Sequence, residues 1–433
     1  MHRFLYKNNN LYCETVKIED IAHKVETPFY LYSYATLLDH YRKIKRAFAP
    51  VKPLICFSMK SNSNLTVCRA LVKEGAGLDI VSGGELYKAL KIGAKPEKIV
   101  YASVGKTAME IDTAIKKGIL FFNVESASEL VIIENLCKRL NRRTKISLRI
   151  NPGIRPRTHR FVTTGISESK FGLDFSTAGE IFAKRNAFPH LDIIGLHMHI
   201  GSQITNKAPF VNALRKIAPF IKNLRDKGIS INYINIGGGM GIIYSKERPQ
   251  TAKEYARAIL PILKKLKVKV ILEPGRFISG NSGVLITRVL YVKKTPRRRF
   301  IIVDAGMNDL IRPALYDAYH EILPLRRLGK VETFIKTDVV GPICESADYL
   351  AKNRRLPKVE EGDLLAIMGT GAYGFSMSSN YNARPRAAEA MVIKGRYYIV
   401  RRRETYQDLI RGESIPRILG TSSKVPPSSM KKI

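Results

Sequence analysis

The sequence predicts a (β/α)8 barrel followed by a second, mostly antiparallel β domain, an α/β chain of two parts. Three observations lead there. Eight short apolar, β-branched runs alternate with amphipathic stretches in the first two thirds of the chain. They recur about every 20 to 25 residues, the length of a βα unit, apart from a longer insertion after the fifth. After residue 280 the texture changes to strands without long helices between them.

The expected barrel strands are 54–59, 78–81, 98–102, 119–124, 145–150, 192–199, 233–236 and 268–272. Helical patterns fill 63–74, 84–92, 107–117, 126–140, 176–186, 209–227 and 252–266, and one more, about 35–48, precedes the first strand. A doubly wound sheet also alternates in this way, but eight parallel strands are the number that closes a barrel. Strands of the second domain are expected at 284–292, 300–304, 332–340, 363–368, 390–393 and 396–400, forming a sandwich or partly open barrel. The opening 28 or so residues read as short and strand-like and join this domain. The expected division is thus 30–280 for the barrel and 1–29 with 281–419 for the β domain. The Ser-, Pro- and Lys-rich tail, 420–433, reads as disordered.

Composition narrows the classes of function. A chain of 433 residues that is 45% hydrophobic can bury a sizeable core. No apolar run approaches the ~20 residues of a membrane span, and residues 1–10 lack the apolar centre of a signal peptide. The cysteines, Cys13, Cys56, Cys68, Cys137 and Cys344, lie far apart with no CxxC pair, which suits a reducing cytoplasm. The formal charge is +36, yet Lys and Arg are spread over polar helix faces. The densest cluster, Lys293 to Arg299, reads as a hairpin turn. No nucleic-acid motif accompanies it, so no specific nucleic acid is expected; the charge favours anionic substrates.

Four motifs fall where barrel strands end, the face on which such barrels place their chemistry. The first ends in Ser58-Met59-Lys60-Ser61-Asn62. A lysine leaving an apolar strand for the barrel mouth is partly desolvated, which lowers its pKa and favours the neutral amine of a Schiff base. Taken alone, a solvated lysine is the commoner outcome. The second is His197-Met198-His199-Ile200-Gly201-Ser202-Gln203. Histidines two apart on a strand face the same way and form a fair metal pair, but the other histidines lie in helices and loops. The alternative is one imidazole flat against a ring, with Ser202 reaching a phosphate. The third, Gly237-Gly238-Gly239 after the seventh strand, lets backbone N–H groups approach a phosphate, although a tight turn explains a glycine run equally well. The fourth is Glu273-Pro274-Gly275-Arg276. Gly275 and Arg276 can complete a phosphate cradle, and Glu273 can face a protonated ring nitrogen. Together the four describe one anionic ring cofactor.

This set resembles the alanine-racemase-like fold of pyridoxal 5'-phosphate (PLP) enzymes, in its diaminopimelate decarboxylase branch. The likeness runs from about residue 27 to 409. It includes "GAGLDIVSGGEL" (75–86), "SLRINPGI" (147–154), "TGISESKFGL" (164–173), "DAGMNDLIRPALYDAYH" (304–320), "GPICESAD" (341–348) and "MGTGAYGFSMSSNYNARPRAAEA" (368–390). It departs from the usual Ala-x-Lys-Ala pattern at Lys60, where this chain has Ser58-Met59-Lys60-Ser61.

The resemblance implies that Lys60 carries the cofactor as a Schiff base and His199 stacks on its ring. Ser202, the glycine run, Gly275, Arg276 and Tyr373 would hold the phosphate, and Glu273 would pair with the ring nitrogen. Arg276, Arg312, Tyr316 and Tyr373 would bind the substrate, the arginines gripping its distal carboxylate. It further implies a homodimer with sites shared across the interface. There Cys344 of the other subunit would protonate the carbanion, and Glu345 would read the distal ammonium. Asp79 and Arg149 would be supports. The reaction implied is decarboxylation of meso-diaminopimelate to L-lysine.

Overall fold

The computed structural model describes residues 2–156, 170–327 and 333–420. All of the expected disordered tail, 420–433, except Gly420, and most of the 164–173 motif lie outside the described residues.

The chain opens with a three-stranded antiparallel meander, β1 (Phe4–Lys7), β2 (Asn10–Cys13) and β3 (Val16–Lys17). A helix the strand-like reading missed follows at Ile18–Val25. Its buried residues, Ile18, Ile21, Ala22 and Val25, have helical spacing, with acids in the first turn and bases in the last to suit the helix dipole. They pack with Phe29, Leu31, Val284 and Ile286, so this segment shares a core with the β domain. Strand β4 (Phe29–Ser33) then enters that sheet, and the side chain of Ser33 caps the helix Tyr34–Ala47.

Eight parallel strands close the barrel: β5 (Leu54–Ser58), β6 (Gly77–Ile80), β7 (Ile99–Tyr101), β8 (Phe121–Val124), β9 (Thr144–Arg149), β10 (Leu191–His197), β11 (Tyr233–Asn235) and β12 (Lys269–Leu272). Closure runs through Ile271 and Leu272 of β12 beside Leu54 and Ile55 of β5. The expected helices between strands also form. Two of them, Ala108–Lys117 and Ala252–Leu266, start with capping boxes made by Thr107 with Glu110 and Thr251 with Glu254. A small apolar cluster of Cys56, Val100, Phe121 and Ile271 fills part of the barrel, whereas the buried polar residues Ser58, Asp79, Asn123, Arg149, His197, Asn235 and Glu273 gather at or beside the C-terminal strand ends. That change from apolar to polar fixes which end carries chemistry.

The β domain contributes β13 (Gly283–Lys294), β14 (Arg299–Val303), β15 (Ile322–Pro324), β16 (Phe334–Val340), β17 (Tyr349–Pro357), β18 (Leu364–Ile367), β19 (Ala388–Ile393) and β20 (Arg396–Arg401). The main path is β17-β16-β14-β13-β4-β19-β20, with β18 and β15 branching from β13. Pairing is antiparallel except for β4 with β19 and β14 with β16. The basic cluster Lys293 to Arg299 is the β13–β14 hairpin turn, closed by the Thr295 N–H donating to the Arg298 carbonyl at 2.8 Å. Strand β17 was not expected. Its centre, Lys352-Asn353-Arg354-Arg355, breaks the alternation, and Asn353 has φ +51° where the ladder with β16 shifts register.

Candidate active site

A cavity of about 780 Å³ opens at the C-terminal ends of the barrel strands, with one side closed by loops of the β domain. Lys60, His199, Ser202, Glu273 and Arg276 line it from the barrel; Arg312, Tyr316 and Tyr373 line it from the β domain. Side chains more than 300 positions apart in sequence thus share one space.

Lys60 sits in a single 3-10 turn after β5. Its Nζ lies 3.3 Å from Asp79 Oδ2, which also accepts from Ser58 Oγ at 2.7 Å. This corrects the expectation of a lowered lysine pKa. Burial does push the ammonium down, but Asp79, then Tyr373 and Glu273, outweigh it and hold Lys60 above the ordinary lysine value. Burial and Glu273 in turn push Asp79 up to about 6, despite the pull of Lys60. Lys60 and Asp79 therefore form an ammonium–carboxylate ion pair on the cavity wall.

Glu273 follows β12 and is buried. Burial opposes its charge, yet His197, Lys60 and Asn235 hold its carboxyl well below the ordinary range. Asn235 Nδ2 donates to Oε1 at 2.5 Å, Asn123 Nδ2 at 3.3 Å, and His197 Nε2 lies 3.2 Å from Oε2. The two histidines of the second motif thus divide their roles. His197 supports Glu273, while His199 faces the cavity with its pKa well below 6.5, through burial, Lys60 and Arg149. Arg149 is held by Glu125 at 2.6 Å.

The glycine run is close-packed. A Cβ on Gly238 would stand 2.2 Å from the Glu273 carbonyl oxygen. Gly239 has φ +97°, and its Cβ would meet the Gly201 carbonyl at 2.6 Å. Gly237 and Gly239 thus abut the His199–Gly201 segment, Gly238 the Glu273 backbone, and Gly275 the side chain of Ser61. Gly238→Ala should displace Glu273 and weaken uptake of cofactor by the apoprotein about 10-fold or more. Titration with PLP checks this; unchanged affinity would show that the turn can absorb the methyl group.

Two buried arginines complete the site. Arg276 donates to Ser202 Oγ at 3.2–3.3 Å and to the Tyr244 hydroxyl at 2.6 Å, and its guanidinium lies 4.7 Å from the centre of the Tyr373 ring. Arg312, from the short helix Arg312–Tyr316, donates to His320 Nε2 at 2.8 Å. Among the described residues, no carboxylate lies within ion-pair distance of either guanidinium. Burying a cation beside neutral partners alone is costly, so this arrangement suits an incoming anion.

Sequence reading missed Tyr244 and His320. His320 closes the 304–320 motif; Tyr244 carried no signal of its own. Burial and Arg312 push His320 from the ordinary 6.5 down to about 3, so it stays neutral in the fold. The unfolded chain takes up that proton near pH 6.5 and the folded chain near 3. Stability is therefore fully present above pH 6.5 and falls as the pH drops toward 3. The melting temperature should decline below about pH 6.5, and His320→Gln should flatten the decline. An equal slope in both proteins would remove His320 as a source.

Cys344 and Glu345 do not reach this cavity. Both are exposed, in the segment between β16 and β17. The Cys344 N–H donates to Asn382 Oδ1 at 2.8 Å, and the Tyr381 hydroxyl donates to Glu345 at 2.6 Å.

The donor set fits PLP. There is an amine for its aldehyde, an anionic carboxylate for its ring nitrogen, and Ser202 with Arg276 for its phosphate; the glycine turn backs this wall, with the Gly237 N–H donating to Asn235 Oδ1 at 3.0 Å.

Comparison with known proteins agrees with the geometry. Residues 34–280 match the family model described as pyridoxal-dependent decarboxylase, pyridoxal binding domain. The chain is 43% identical over 406 residues to the diaminopimelate decarboxylase of Aquifex aeolicus, covering 94% of this chain and 96% of that one. It is 44% identical over 418 residues to that of Vibrio cholerae, covering 96% and 99%. Among solved structures, the diaminopimelate decarboxylase of Helicobacter pylori complexed with L-lysine superposes with a TM-score of 0.87 at 42% identity, covering 91% of this chain and 98% of that one. The M. jannaschii enzyme in co-complex with L-lysine gives 0.91 at 37%, covering 96% and 98%. With the cofactor motifs assembled in one barrel mouth and nearly the full length matched, the chain belongs to the pyridoxal-dependent decarboxylase family, among the diaminopimelate decarboxylases.

Proposed function

We propose that this enzyme removes carbon dioxide from one end of meso-2,6-diaminopimelate and releases L-lysine, the last step of lysine biosynthesis. The observation that carries this reading is the pair of buried guanidiniums, Arg276 and Arg312, whose side-chain partners among the described residues are neutral. Beyond the phosphate, a substrate with a second carboxylate gives them a partner; ornithine or arginine does not.

Bound PLP supplies the electron sink for the pair left behind when the carboxylate departs as carbon dioxide. The chain's own residues do the rest. Lys60 offers the amine that anchors the cofactor, and Asp79 is the counter-ion of its ammonium. Glu273, kept anionic by its Asn and His donors, would keep the ring nitrogen protonated. Ser202, Gly237, Gly238, Gly239, Gly275, Arg276 and Tyr373 would hold the phosphate, and His199 would lie against the ring. Arg312, Tyr316 and Tyr373 orient the end of the substrate that does not react.

The remaining groups come from a second copy of the chain. The enzyme acts as a homodimer in which the exposed Cys344–Glu345 loop of one subunit completes the cavity of the other. The Cys344 thiol gives its proton to the carbon that lost the carboxylate, and Glu345 accepts from the distal ammonium. Among the described residues no helix is long and apolar enough to cross a membrane. The five free thiols suit a cytoplasmic site.

The direct test is release of carbon dioxide and lysine from meso-diaminopimelate with added PLP, beside ornithine and arginine. Turnover of diaminopimelate alone is expected. Preferential turnover of ornithine or arginine would overturn the substrate while keeping the family.

A further inference from the structure

The two arginines differ in how they are held. Arg276 is braced by hydroxyls, whereas Arg312 shares the Tyr244 hydroxyl with Arg276 and donates to an imidazole, that of His320. A guanidinium only donates, so His320 Nε2 must be the accepting nitrogen and the ring proton must sit on Nδ1. There it meets the Met368 carbonyl at 2.8 Å, and the Met368 N–H donates back to the Glu321 carbonyl at 2.8 Å. His320 is fully buried, and its ring meets the Tyr244 ring edge to face, with centroids 5.2 Å apart. The tautomer and the orientation are therefore both fixed.

Tyr244 forms the wedge between the cations. Its hydroxyl accepts from Arg276, and its ring centre lies 4.7 Å from the Arg312 guanidinium. Both arginines are thus brought together by neutral groups that attract a cation without cancelling its charge. A carboxylate at position 320 would hold Arg312 just as firmly, but it would compete with any anion arriving from the cavity.

We propose that His320 is a positioning residue for substrate recognition: as an obligatorily neutral acceptor it aims Arg312 at the distal carboxylate of the substrate and leaves that charge free to bind it. This rests on the substrate reading above and adds a residue to which that reading gives no role.

The test compares His320→Ala, His320→Gln and His320→Glu with the wild type, all loaded with PLP. Two quantities are read: KM and kcat on meso-diaminopimelate, and calorimetric affinity for glutarate, a plain dicarboxylate. His320→Ala should raise KM on the order of 10- to 100-fold, the scale of a lost hydrogen bond to a charged group, with kcat within about 3-fold and the cofactor absorbance unchanged. Gln offers an oxygen to Arg312 and an N–H to Met368, so it should restore KM to within about 5-fold of wild type. Glu keeps the acceptor but adds a charge, so its KM should rise at least as far as that of Ala. Glutarate affinity should follow the same order.

A purely structural residue would lower kcat, cofactor retention and melting temperature together. An unchanged KM in His320→Ala, or Glu performing as well as Gln, would overturn the proposal. Should His320→Ala fail to fold, the contrast between Gln and Glu decides it. A wild type that ignores diaminopimelate would sink the substrate reading instead, and the glutarate series would still judge His320.

Discussion

Lys60→Ala loses the visible absorbance of lysine-bound cofactor and lowers turnover by ~10⁴-fold or more, the scale seen when a covalent catalytic group is removed. The fold should survive, because about a third of the Lys60 side chain faces the cavity and its only ion pair among the described residues is with Asp79. Borohydride reduction of the wild type should fix the cofactor on the peptide containing Lys60, and reduction of the variant should fix none. A retained absorbance band, or label on another lysine, would reject the assignment. The structure adds a pH dependence. Because Asp79 holds the ammonium above the ordinary lysine value, little free amine exists near neutral pH, and uptake of PLP by the apoprotein should quicken as the pH rises. In Asp79→Asn the burial effect prevails, the lysine pKa drops, and the whole uptake profile moves to lower pH. A profile that does not move would remove Asp79 as the controlling group.

The same lysine shows where reading a sequence stops. Its place after an apolar strand is legible, since strand and motif are contiguous, and so are His199, Ser202, Gly237 to Gly239 and Glu273 at other strand ends. The charge state of Lys60 is not legible, because Asp79 comes from the neighbouring strand and reverses the effect of burial. The pattern repeats elsewhere. His197 looked equivalent to His199 until Asn235 and Glu273 were placed beside it. Arg312 and Tyr316 could be singled out by motif, but not the hydrogen bond from Arg312 to His320, which needs the turn of chain between them. Barrel strands showed within about two residues because burial on both faces makes them continuous apolar runs. Strand β17 did not, because its Lys352–Arg355 stretch is largely exposed and its register slips at Asn353. The helix Ile18–Val25 is only two turns long, and its apolar face emerges only when packed on Phe29 and Ile286.

Cys344→Ala should keep bound cofactor and a wild-type fold yet lose about 10²- to 10⁴-fold in turnover, the range for removing a positioned general acid. Of the five cysteines, four are buried; Cys344 alone is exposed, so deleting its sulfur leaves no cavity in the core. Its loop is nonetheless fixed. Asp348 accepts from the backbone N–H groups of Met307 and Ile343 at 2.6 Å, and Asn382 and Tyr381 hold Cys344 and Glu345 from the side. An ordered, outward-facing acid that misses its own cavity makes sense if it serves another subunit. Mixing inactive Lys60→Ala with inactive Cys344→Ala tests this directly. A mixed dimer has one cavity with Lys60 on its wall and Cys344 on the facing loop, and a second cavity with neither. Random exchange makes half of all dimers mixed, each with one intact site, so activity should recover to about a quarter of wild type. Near-normal turnover by Cys344→Ala would remove the thiol as the acid. Proven mixed dimers without recovery would place Cys344 in the same cavity as its own Lys60, which requires its loop to move across the barrel mouth.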